Sequence, residues 1–466
     1  MQEELYHPLP VALQNVAVSL YGWRLRRQRR TRHTAEYRQM LDHTARLDAS
    51  DLARWVSERV RRFVQEALEN VPYYRQLNLD TNAWQAENAN VAELLKSLPV
   101  VDRIDIRSRS TEFRRADIRD QFTLSTSGTT GSPMKIYCDR ESRALHYAFF
   151  DRLWGSAGIR AGKDWRATFY GRTILSPSQK RAPYWRFDFA QRNVLFSSYH
   201  ISRDSVSAYV RELQRKRPAL VVGYPSSLAR LSELALQAGC EIPQPKMVMT
   251  TAESLGDRQR SAIQRAFGVP VTDQYGCTEM THFVAQCPLG SYHIHLEHGL
   301  VEILREDGSP CSNGEVGQVV VTGLVNRAMP LLRYRIADTA ALSDDVCNCG
   351  STFPLLSRIL GRSDDVLHFA SGRAVGRFDP VFKGFTEVLE AQIEQTSPTS
   401  LIVRMVPSLG YCTEVGQRIV WEIRKRVGDD VSIQVELVDA IQRGPGGKFL
   451  AVIGLMKSRA GYQVGT

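Results

Sequence analysis

A run of small and hydroxyl-bearing residues lies between Leu124 and Tyr137, where the sequence reads LSTSGTTGSPMKIY. Its two glycines allow positive φ, so that successive backbone N–H groups can converge on one point, and the Ser and Thr hydroxyls add rotatable donors. Converging donors suit a chain of phosphates. The run is not a Walker A loop, because Ser132 and Pro133 stand where that loop has Lys-Ser/Thr. A flexible linker is the alternative interpretation of the run taken alone.

Four other segments carry polar residues that could face a ligand. They are YGCTE at 275–279, RYRIAD at 333–338, GRSDD at 361–365 and RGPGGKF at 443–449. Lys448 stands in a loop rich in Gly and Pro, which is typical of a positioned and mobile charge. The alternatives are a surface acid at Glu279, an ion pair between Asp338 and Arg335, a plain turn at 361–365 and a solvated lysine.

Cysteine and histidine form two short clusters that could hold a metal. The ligand candidates are Cys287, His293, Cys347 and Cys349, spaced C-x5-H and C-x-C. Thiolates and imidazole together suit tetrahedral Zn²⁺. The C-x-C spacing is tighter than the C-x2-C of common zinc knuckles. His295 and His298 are rival ligands, and four reduced residues without a metal are the alternative.

The elements that would position these residues begin with alternating strands and helices. Buried-type strands at 219–224, 246–251 and 269–276 are separated by helical patterns at 226–238, with Ser226 or Ser227 as cap, and at 257–267. This alternation predicts βαβ units and a largely parallel sheet. Ligands bind beyond the carboxyl ends of such strands, which is where the segments 223–226, 252–254 and 275–279 lie.

The flanking regions complete an α/β fold. Helices are predicted at 50–70, capped by Ser50-Asp51, and at 139–155. Alternating strands at 299–345 predict a β-rich subdomain. After a break at 361–365, two strands and a helix predict a compact α+β unit. We therefore expect a large domain over residues 1–363, with an N-terminal helical segment, and a small domain over 364–466.

Composition bounds the class of protein. The 466 residues are 43% hydrophobic and 24% charged, as in a soluble globular protein, and the net charge of +10 does not by itself imply nucleic acid. The sequence has no signal pattern and no run of 18 apolar residues, so we expect a cytoplasmic protein. A helical pattern at 8–22 precedes a basic block at 24–32. This block predicts a solvated helix face, with weak peripheral membrane contact or RNA binding as alternatives; we expect no nucleic acid partner.

The five motifs, in this order, resemble those of the adenylate-forming enzymes. Within these the chain looks most like the phenylacetate–coenzyme A ligase family, in the branch associated with capsular polysaccharide biosynthesis. The resemblance extends from Val71-Pro72-Tyr73-Tyr74-Arg75 to Lys448. It implies a two-step reaction. A small carboxylic acid attacks the α-phosphate of ATP to give an acyl adenylate and pyrophosphate, and a thiol, most often that of coenzyme A, then takes the acyl group.

The resemblance also implies a role for each matching residue. The β- and γ-phosphates would be held by Ser127, Gly128, Thr129, Thr130 and Gly131. Thr278 would contact the α-phosphate and Glu279 would hold Mg²⁺, while Lys448 would bridge carboxylate and phosphate oxygens. The rest of the nucleotide site would comprise Glu253, Tyr275 with Gly276 against adenine, Asp338 at the ribose hydroxyls, and Arg362 at the hinge. The acid pocket would include Tyr224, Ala252 and Cys277, beside the helix residues 145–150.

The resemblance favours a structural zinc on Cys287, Cys347, Cys349 and His293, because Tyr292-His293-Ile294 matches the family position. It also implies a small domain that swings about a hinge at Asp364.

The chain departs from the aryl–coenzyme A ligases after the hinge motif. It reads SGRAVGRFDP at 371–380, where they have Gly-Val-Asn-Val-Phe-Pro. The acceptor therefore stays open between coenzyme A, a carrier-protein thiol, an amine and a hydroxyl. Ala337 replaces a usual Gly or Arg, which we expect to matter little. A nucleotide-binding protein without turnover is a third hypothesis, and a monomer and a homodimer both remain open.

Overall fold

A computed structural model describes residues 3–455, except 80–81, 85–89, 126–133, 177–178, 363–366, 372–373, 376–377, 383–384, 386, 409 and 445–447. The α-helices are α1 (Glu3–Tyr6), α2 (Val11–Arg29), α3 (Thr34–Thr44), α4 (Ala49–Asn70), α5 (Pro72–Arg75), α6 (Val91–Lys96), α7 (Arg103–Ser108), α8 (Arg140–Ser156), α9 (Val206–Lys216), α10 (Pro225–Gln237), α11 (Asp257–Phe267) and α12 (Thr413–Val427). Short 3₁₀ helices lie at Asn82–Trp84 and Asp379–Phe382. Among the described helices, none has a stretch long and apolar enough to cross a membrane.

The strands of the large domain are β1 (Val101–Asp102), β2 (Phe122–Ser125), β3 (Lys135–Cys138), β4 (Arg166–Phe169), β5 (Trp185–Asp188), β6 (Asn193–Phe196), β7 (Leu220–Gly223), β8 (Met247–Thr251), β9 (Val271–Gly276), β10 (Phe283–Gln286), β11 (Tyr292–Ile294), β12 (Gly299–Leu304), β13 (Gly317–Gly323), β14 (Tyr334–Ser343) and β15 (Leu355–Arg362). The chain ends with β16 (Leu367–His368), β17 (Ala374–Val375), β18 (Val388–Ser397), β19 (Ser400–Pro407), β20 (Ser432–Leu437) and β21 (Val452–Ile453).

One mixed sheet organises the large domain. Its order is β12-β13-β14-β15-β11-β10-β9-β8-β7-β4-β6-β5, and β1 pairs with β14. Strands β6, β4, β7, β8 and β9 are parallel, as the βαβ pattern predicts, and those from β10 to β15 are antiparallel. The β-rich region is therefore continuous with the parallel sheet through the pairing of β11 and β15. The edge strand β5, antiparallel to β6, was not predicted.

Two predicted helix caps are wrong. Helix α4 begins one residue earlier than predicted, and its N-cap is Asp48, whose side chain accepts a hydrogen bond from the backbone N–H of Asp51 at 2.8 Å. Helix α10 begins at Pro225 and has no side-chain cap of its own, and Ser226 and Ser227 are buried within it. Instead, the Ser226 N–H donates to the carboxylate of Glu253, which therefore stabilises this helix N-terminus.

The last described segment forms a small α+β unit with its own core. Its sheet has the order β20-β19-β18-β21, and α12 packs on it through Ile419 and Ile423, with Leu401 and Val403 from the sheet in the same apolar cluster. Strand β18, the longest of this sheet, is absent from the sequence prediction. The predicted boundary between residues 363 and 364, and the hinge residue Asp364, lie outside the described residues.

Candidate active site and metal centre

The predicted phosphate-binding residues Ser127, Gly128, Thr129, Thr130 and Gly131 lie outside the described residues. The strands on either side of them are described. β2 and β3 pair antiparallel, with Leu124 opposite Ile136 and Ser125 opposite Lys135. The chain therefore reverses direction between two paired strands, and the hydroxyl-rich run connects the strands of a hairpin.

The structure brings Tyr275 and Asp338 together. Tyr275 lies on β9, close to its carboxyl end, and its hydroxyl donates a hydrogen bond to Asp338 Oδ2 at 2.8 Å. Asp338 lies on β14 directly opposite Arg362 of β15 in the strand register. Three residues that are far apart in sequence and were assigned to the nucleoside thus meet at one place. Gly276 is also tightly enclosed, since a Cβ there would stand 2.7 Å from Gln274 Nε2.

Thr278 and Glu279 occupy the turn between β9 and β10. Thr278 is exposed, whereas Glu279 is buried and accepts a hydrogen bond from the Tyr334 hydroxyl at 3.3 Å. Burial, together with the neighbouring carboxylate of Glu279, raises the pKa of Tyr334. Tyr334 therefore stays a neutral donor that orients one oxygen of Glu279. The second carboxylate oxygen supplies the kind of hard ligand that Mg²⁺ prefers.

Lys448 is held near the same edge of the sheet by its neighbours. The N–H of Phe449 donates to Glu253 Oε1 at 2.6 Å, while Oε2 of that carboxylate accepts from the Ser226 N–H at 3.1 Å. The backbone of the loop is closed by a hydrogen bond from the Gly444 N–H to the Lys448 carbonyl at 2.8 Å. Burial raises the pKa of Glu253, and these N–H donors partly offset that shift. Glu253 thus links the start of α10 to the loop that carries Lys448.

A buried group of ion pairs holds the small domain against α10 of the large domain. Glu390 of β18 accepts a hydrogen bond from Arg230 of α10 at 3.2 Å, and it also pairs with Arg443. Arg230 is anchored in the large domain by a bond from Nε to the carbonyl of Ile201 at 2.8 Å. Arg443 in turn packs over the ring of Phe449. The sequence did not point to Arg230, Glu390 or Phe449, because their partners lie up to 196 residues away.

The predicted pocket residues stand at the ends of adjacent strands. Tyr224 is buried before α10, and its ring centroid is 5.3 Å from that of Tyr170. Ala252 is exposed after β8. The Sγ of Cys277 lies 3.1 Å from Thr281 Oγ1, and burial raises the pKa of this thiol, which therefore stays protonated. Cys277 is not part of the described Cys and His cluster, and its role in the pocket stays a prediction.

Backbone strain marks the same edge. Ala252, Met280 and Ala337 adopt positive φ of 69°, 58° and 62°. Each adjoins a site carboxylate, namely Glu253, Glu279 and Asp338. A residue with a Cβ in this conformation costs roughly 1–2 kcal/mol, and such residues concentrate at functional sites. Position 337, where a departure from the usual Gly or Arg was expected to matter little, is therefore a strained one.

The four metal-ligand candidates form one cluster. The Sγ atoms of Cys287 and Cys347 are 3.7 Å apart, Cys349 Sγ is 3.3 Å from His293 Nε2, and the four ligand atoms lie within 4.8 Å of one another. Tetrahedral Zn²⁺, with bonds of about 2.3 Å to sulfur and about 2.0 Å to nitrogen, separates its ligand atoms by roughly 3.5–3.8 Å. The residues therefore fit a structural zinc ion.

The surroundings of His293 favour it as a zinc ligand over His295 and His298. Its Nδ1 lies 3.1 Å from the Phe353 carbonyl, so that an N–H there would direct the Nε2 lone pair to the thiols. His295 instead contacts Arg152 at 2.7 Å, and His298 contacts His146 at 2.9 Å. The cluster joins the β10–β11 turn to the connection between β14 and β15.

Comparisons with known proteins agree with this architecture. A family model, the CapK C-terminal domain, matches residues 370–454. Protein CapK of Staphylococcus aureus is 26% identical over 454 residues, covering 96% of this chain and 98% of that protein. Phenylacetate-coenzyme A ligase of Thermus thermophilus is 27% identical over 320 residues, covering 66% and 70% of the two chains.

The solved structures of 2-hydroxyisobutyryl-CoA ligase show the fold. The structure in the postadenylation state has a TM-score of 0.67 at 19% identity, covering 89% of this chain and 91% of that chain. The structure of that ligase in the thioesterfication state has a TM-score of 0.55 at 18% identity, covering 90% and 93%.

In fold and in sequence the chain is similar to adenylate-forming ligases. Its relatives include CapK and the phenylacetate–coenzyme A ligases, and its C-terminal region matches the CapK C-terminal domain. The resemblance derived from the sequence motifs is confirmed.

Proposed function

We propose that this protein activates a carboxylic acid with ATP, releases pyrophosphate and passes the acyl group of the adenylate to a thiol, that of coenzyme A. The observation that carries the proposal is the hydrogen bond from Phe449 to Glu253, which holds the Lys448 loop against the large domain. Tyr275 and Asp338 meet at an edge of the same sheet. The similarity to phenylacetate–coenzyme A ligases supports the same reaction.

In this proposal the chain aligns two anions and neutralises their charge, and it needs no protein nucleophile. Lys448 approaches the acid carboxylate and the α-phosphate, Thr278 contacts the α-phosphate, and Glu279 holds Mg²⁺. Asp338, already fixed by Tyr275, accepts hydrogen bonds from the ribose hydroxyls. When bound, Mg²⁺ screens the triphosphate, which the Glu279 carboxylate would otherwise repel. The residues that hold the leaving pyrophosphate are Ser127, Gly128, Thr129, Thr130 and Gly131.

We also propose that Cys287, His293, Cys347 and Cys349 bind zinc in a structural role. The ligand set has three sulfurs and one nitrogen, which fills a tetrahedral site.

An amine or hydroxyl acceptor is the second candidate. It is favoured by the SGRAVGRFDP segment at 371–380, which departs from the aryl–coenzyme A ligases after the hinge motif. Measuring the acyl product from each acid, with coenzyme A or with an amine, separates the two acceptors.

The test of the activity is acid-dependent exchange of labelled pyrophosphate into ATP across a panel of carboxylic acids. Lys448→Ala should abolish exchange while the thermal unfolding profile stays unchanged. Lys425→Ala, an exposed lysine on α12 of the same small domain, is the matched control and should retain exchange. Near-normal exchange by Lys448→Ala, or AMP formation by no acid of the panel, would count against the proposed function.

A further inference from the structure

Beside the acid pocket, Tyr147 of α8 lies among arginines. The guanidinium carbon of Arg29 is 4.3 Å from the Tyr147 ring centroid, and that of Arg143 is 5.2 Å away. Arg29 and Arg166 each donate to the same atom, Gln191 Oε1, at 3.1 and 3.2 Å. Residues from α2, α8 and β4 therefore bring three cations to one place. The basic block at 24–32 contributes Arg29 to it, which only the tertiary structure reveals.

These cations form no ion pairs with carboxylates among the described residues, although the carboxylate of Asp188 acts on the charge of Arg166 from a longer distance. The ion pairs recorded for the described part of the chain include none to Arg29, Arg143 or Arg166. The Nε atoms of Arg29 and Arg166 are buried and have no hydrogen-bond partner among the described residues. A buried guanidinium without an anion is costly, so such groups are usually paired. The cluster therefore has the charge and the unsatisfied donors to accept an anion.

The electrostatics agree with the geometry. Burial lowers the pKa of Arg29 to about 10. Burial acts to raise the pKa of Tyr147, but the surrounding guanidinium groups, which are those of Arg29, Arg143, Arg166 and Arg172, lower it to about 8. A phenol acidified in this way reports a strongly positive potential at its hydroxyl.

The cluster borders the pocket that the acid is proposed to enter. Arg143 Nη1 is 3.8 Å from the Sδ of Met280, which directly follows Glu279. On the other side Tyr170 bridges to Tyr224, with ring centroids 5.3 Å apart. The pKa of Tyr170 is raised, mainly by burial and to a smaller extent by the neighbouring Tyr147 and Tyr224. The arginine cluster therefore adjoins residues next to Glu279 and Tyr224.

We propose that the acid activated by this protein carries a second anionic group, which Arg29, Arg143 and Arg166 bind. This inference rests on the proposed function. A carboxylate, phosphate or sulfate could accept paired N–H bonds from one guanidinium. The substrate class is therefore a dianionic acid, with the reacting carboxylate toward Lys448 and the second anion toward Tyr147.

The test compares acids that share a carbon chain and differ in the second anionic group, in the pyrophosphate exchange assay. Glutarate is compared with valerate, and 3-phosphoglycerate with glycerate, so that the two arms distinguish a carboxylate from a phosphate. The expected result is a kcat/KM at least about 100-fold higher for one of the dianionic acids, since a site built for a polar group rejects its absence strongly. Arg143→Gln should raise the KM for that acid roughly 10- to 100-fold and leave the KM for ATP unchanged. Arg24→Gln, an exposed arginine, is the matched control.

Equal efficiency within both pairs, glutarate with valerate and 3-phosphoglycerate with glycerate, would overturn the inference and leave the proposed function standing. The inference would also be overturned if Arg143→Gln raised the KM for coenzyme A and not the KM for the acid. The arginines would then bind the phosphates of coenzyme A. Exchange with no acid would count against the proposed function. In that case calorimetry of glutarate and inorganic phosphate with wild type and Arg143→Gln decides the anion site. Millimolar or tighter binding lost in Arg143→Gln would support it, and no binding, or binding unaffected by the substitution, would overturn it.

Discussion

The bond between Arg230 and Glu390 offers a way to change the domain arrangement without touching the nucleotide site. Arg230→Met removes the hydrogen bond to Glu390, which spans from α10 to β18, and leaves Glu390 paired with Arg443. It also removes the bond to the Ile201 carbonyl, but that bond lies within the large domain and is therefore present in either domain arrangement. Arg230 and Glu390 are both mostly buried, with 10% and 6% of their side chains exposed. Met preserves most of the apolar stem, so that packing is lost only at the head group.

The expected shift in the equilibrium between domain arrangements follows from the strength of a hydrogen bond between charged groups. A hydrogen bond between charged groups contributes about 1.5–3 kcal/mol, and each 1.4 kcal/mol is about a factor of ten in an equilibrium constant. Arg230→Met should therefore shift the equilibrium away from the arrangement with Lys448 inward by roughly 10- to 100-fold. The remaining contact between the Phe449 N–H and Glu253 sets how much of that arrangement survives.

Two assays follow this equilibrium. Small-angle scattering of the free protein should show a larger radius of gyration for Arg230→Met than for wild type. Pyrophosphate exchange should slow by up to the same factor, whereas transfer from a preformed acyl adenylate should not slow. Arg215→Met, which breaks a pair with Glu212 within α9, is the control and should change neither. Unchanged scattering together with unchanged exchange in Arg230→Met would refute the reasoning.

Three further predictions concern the metal, the strained backbone and pH. His293→Ala should reduce bound zinc from about one ion per chain to nearly none and lower the Tm, because the metal joins two connections between strands. Ala337→Val should destabilise the fold by about 1–2 kcal/mol in urea unfolding, since a β-branched residue tolerates φ of 62° poorly, and Ala337→Gly should be near neutral. Burial raises the pKa of Glu233 to about 7, so its folded form binds a proton more tightly than the unfolded form. The resulting stability, up to about 3 kcal/mol, should be present below about pH 4.5 and be lost as pH rises through 7, and Glu233→Gln should remove this dependence.

Each of these has a contrasting outcome. Zinc retained at wild-type stoichiometry in His293→Ala would exclude it as a ligand. Equal stability of Ala337→Val and Ala337→Gly would show that position 337 is not strained. For the pH profile, Glu58→Gln at an exposed position is the control, and a Glu233→Gln profile that parallels wild type between pH 4.5 and 8 would contradict the assignment.

The local sequence pattern predicted most of the helices and strands. Alternation of apolar runs and helical periodicity located the parallel strands β7, β8 and β9 within two residues, because burial on both faces leaves a continuous apolar run. The predicted strand ends then placed Tyr224, Ala252 and Tyr275 at the edge of the sheet where the structure has them. The two helix caps were wrong, since several Ser and Asp residues near a helix start satisfy the same pattern and only the backbone geometry selects among them.

From the sequence alone, five motifs in order predicted the class of protein, and a set of Cys and His residues predicted a zinc site. The tertiary structure alone decided which groups meet. It paired Tyr275 with Asp338, gathered Cys287, His293, Cys347 and Cys349 within 4.8 Å, and brought Arg29 beside Arg143. Such contacts join residues up to 114 positions apart in the chain, and no local periodicity predicts them. They depend on strand order and domain packing, which are set by the burial of the whole apolar surface.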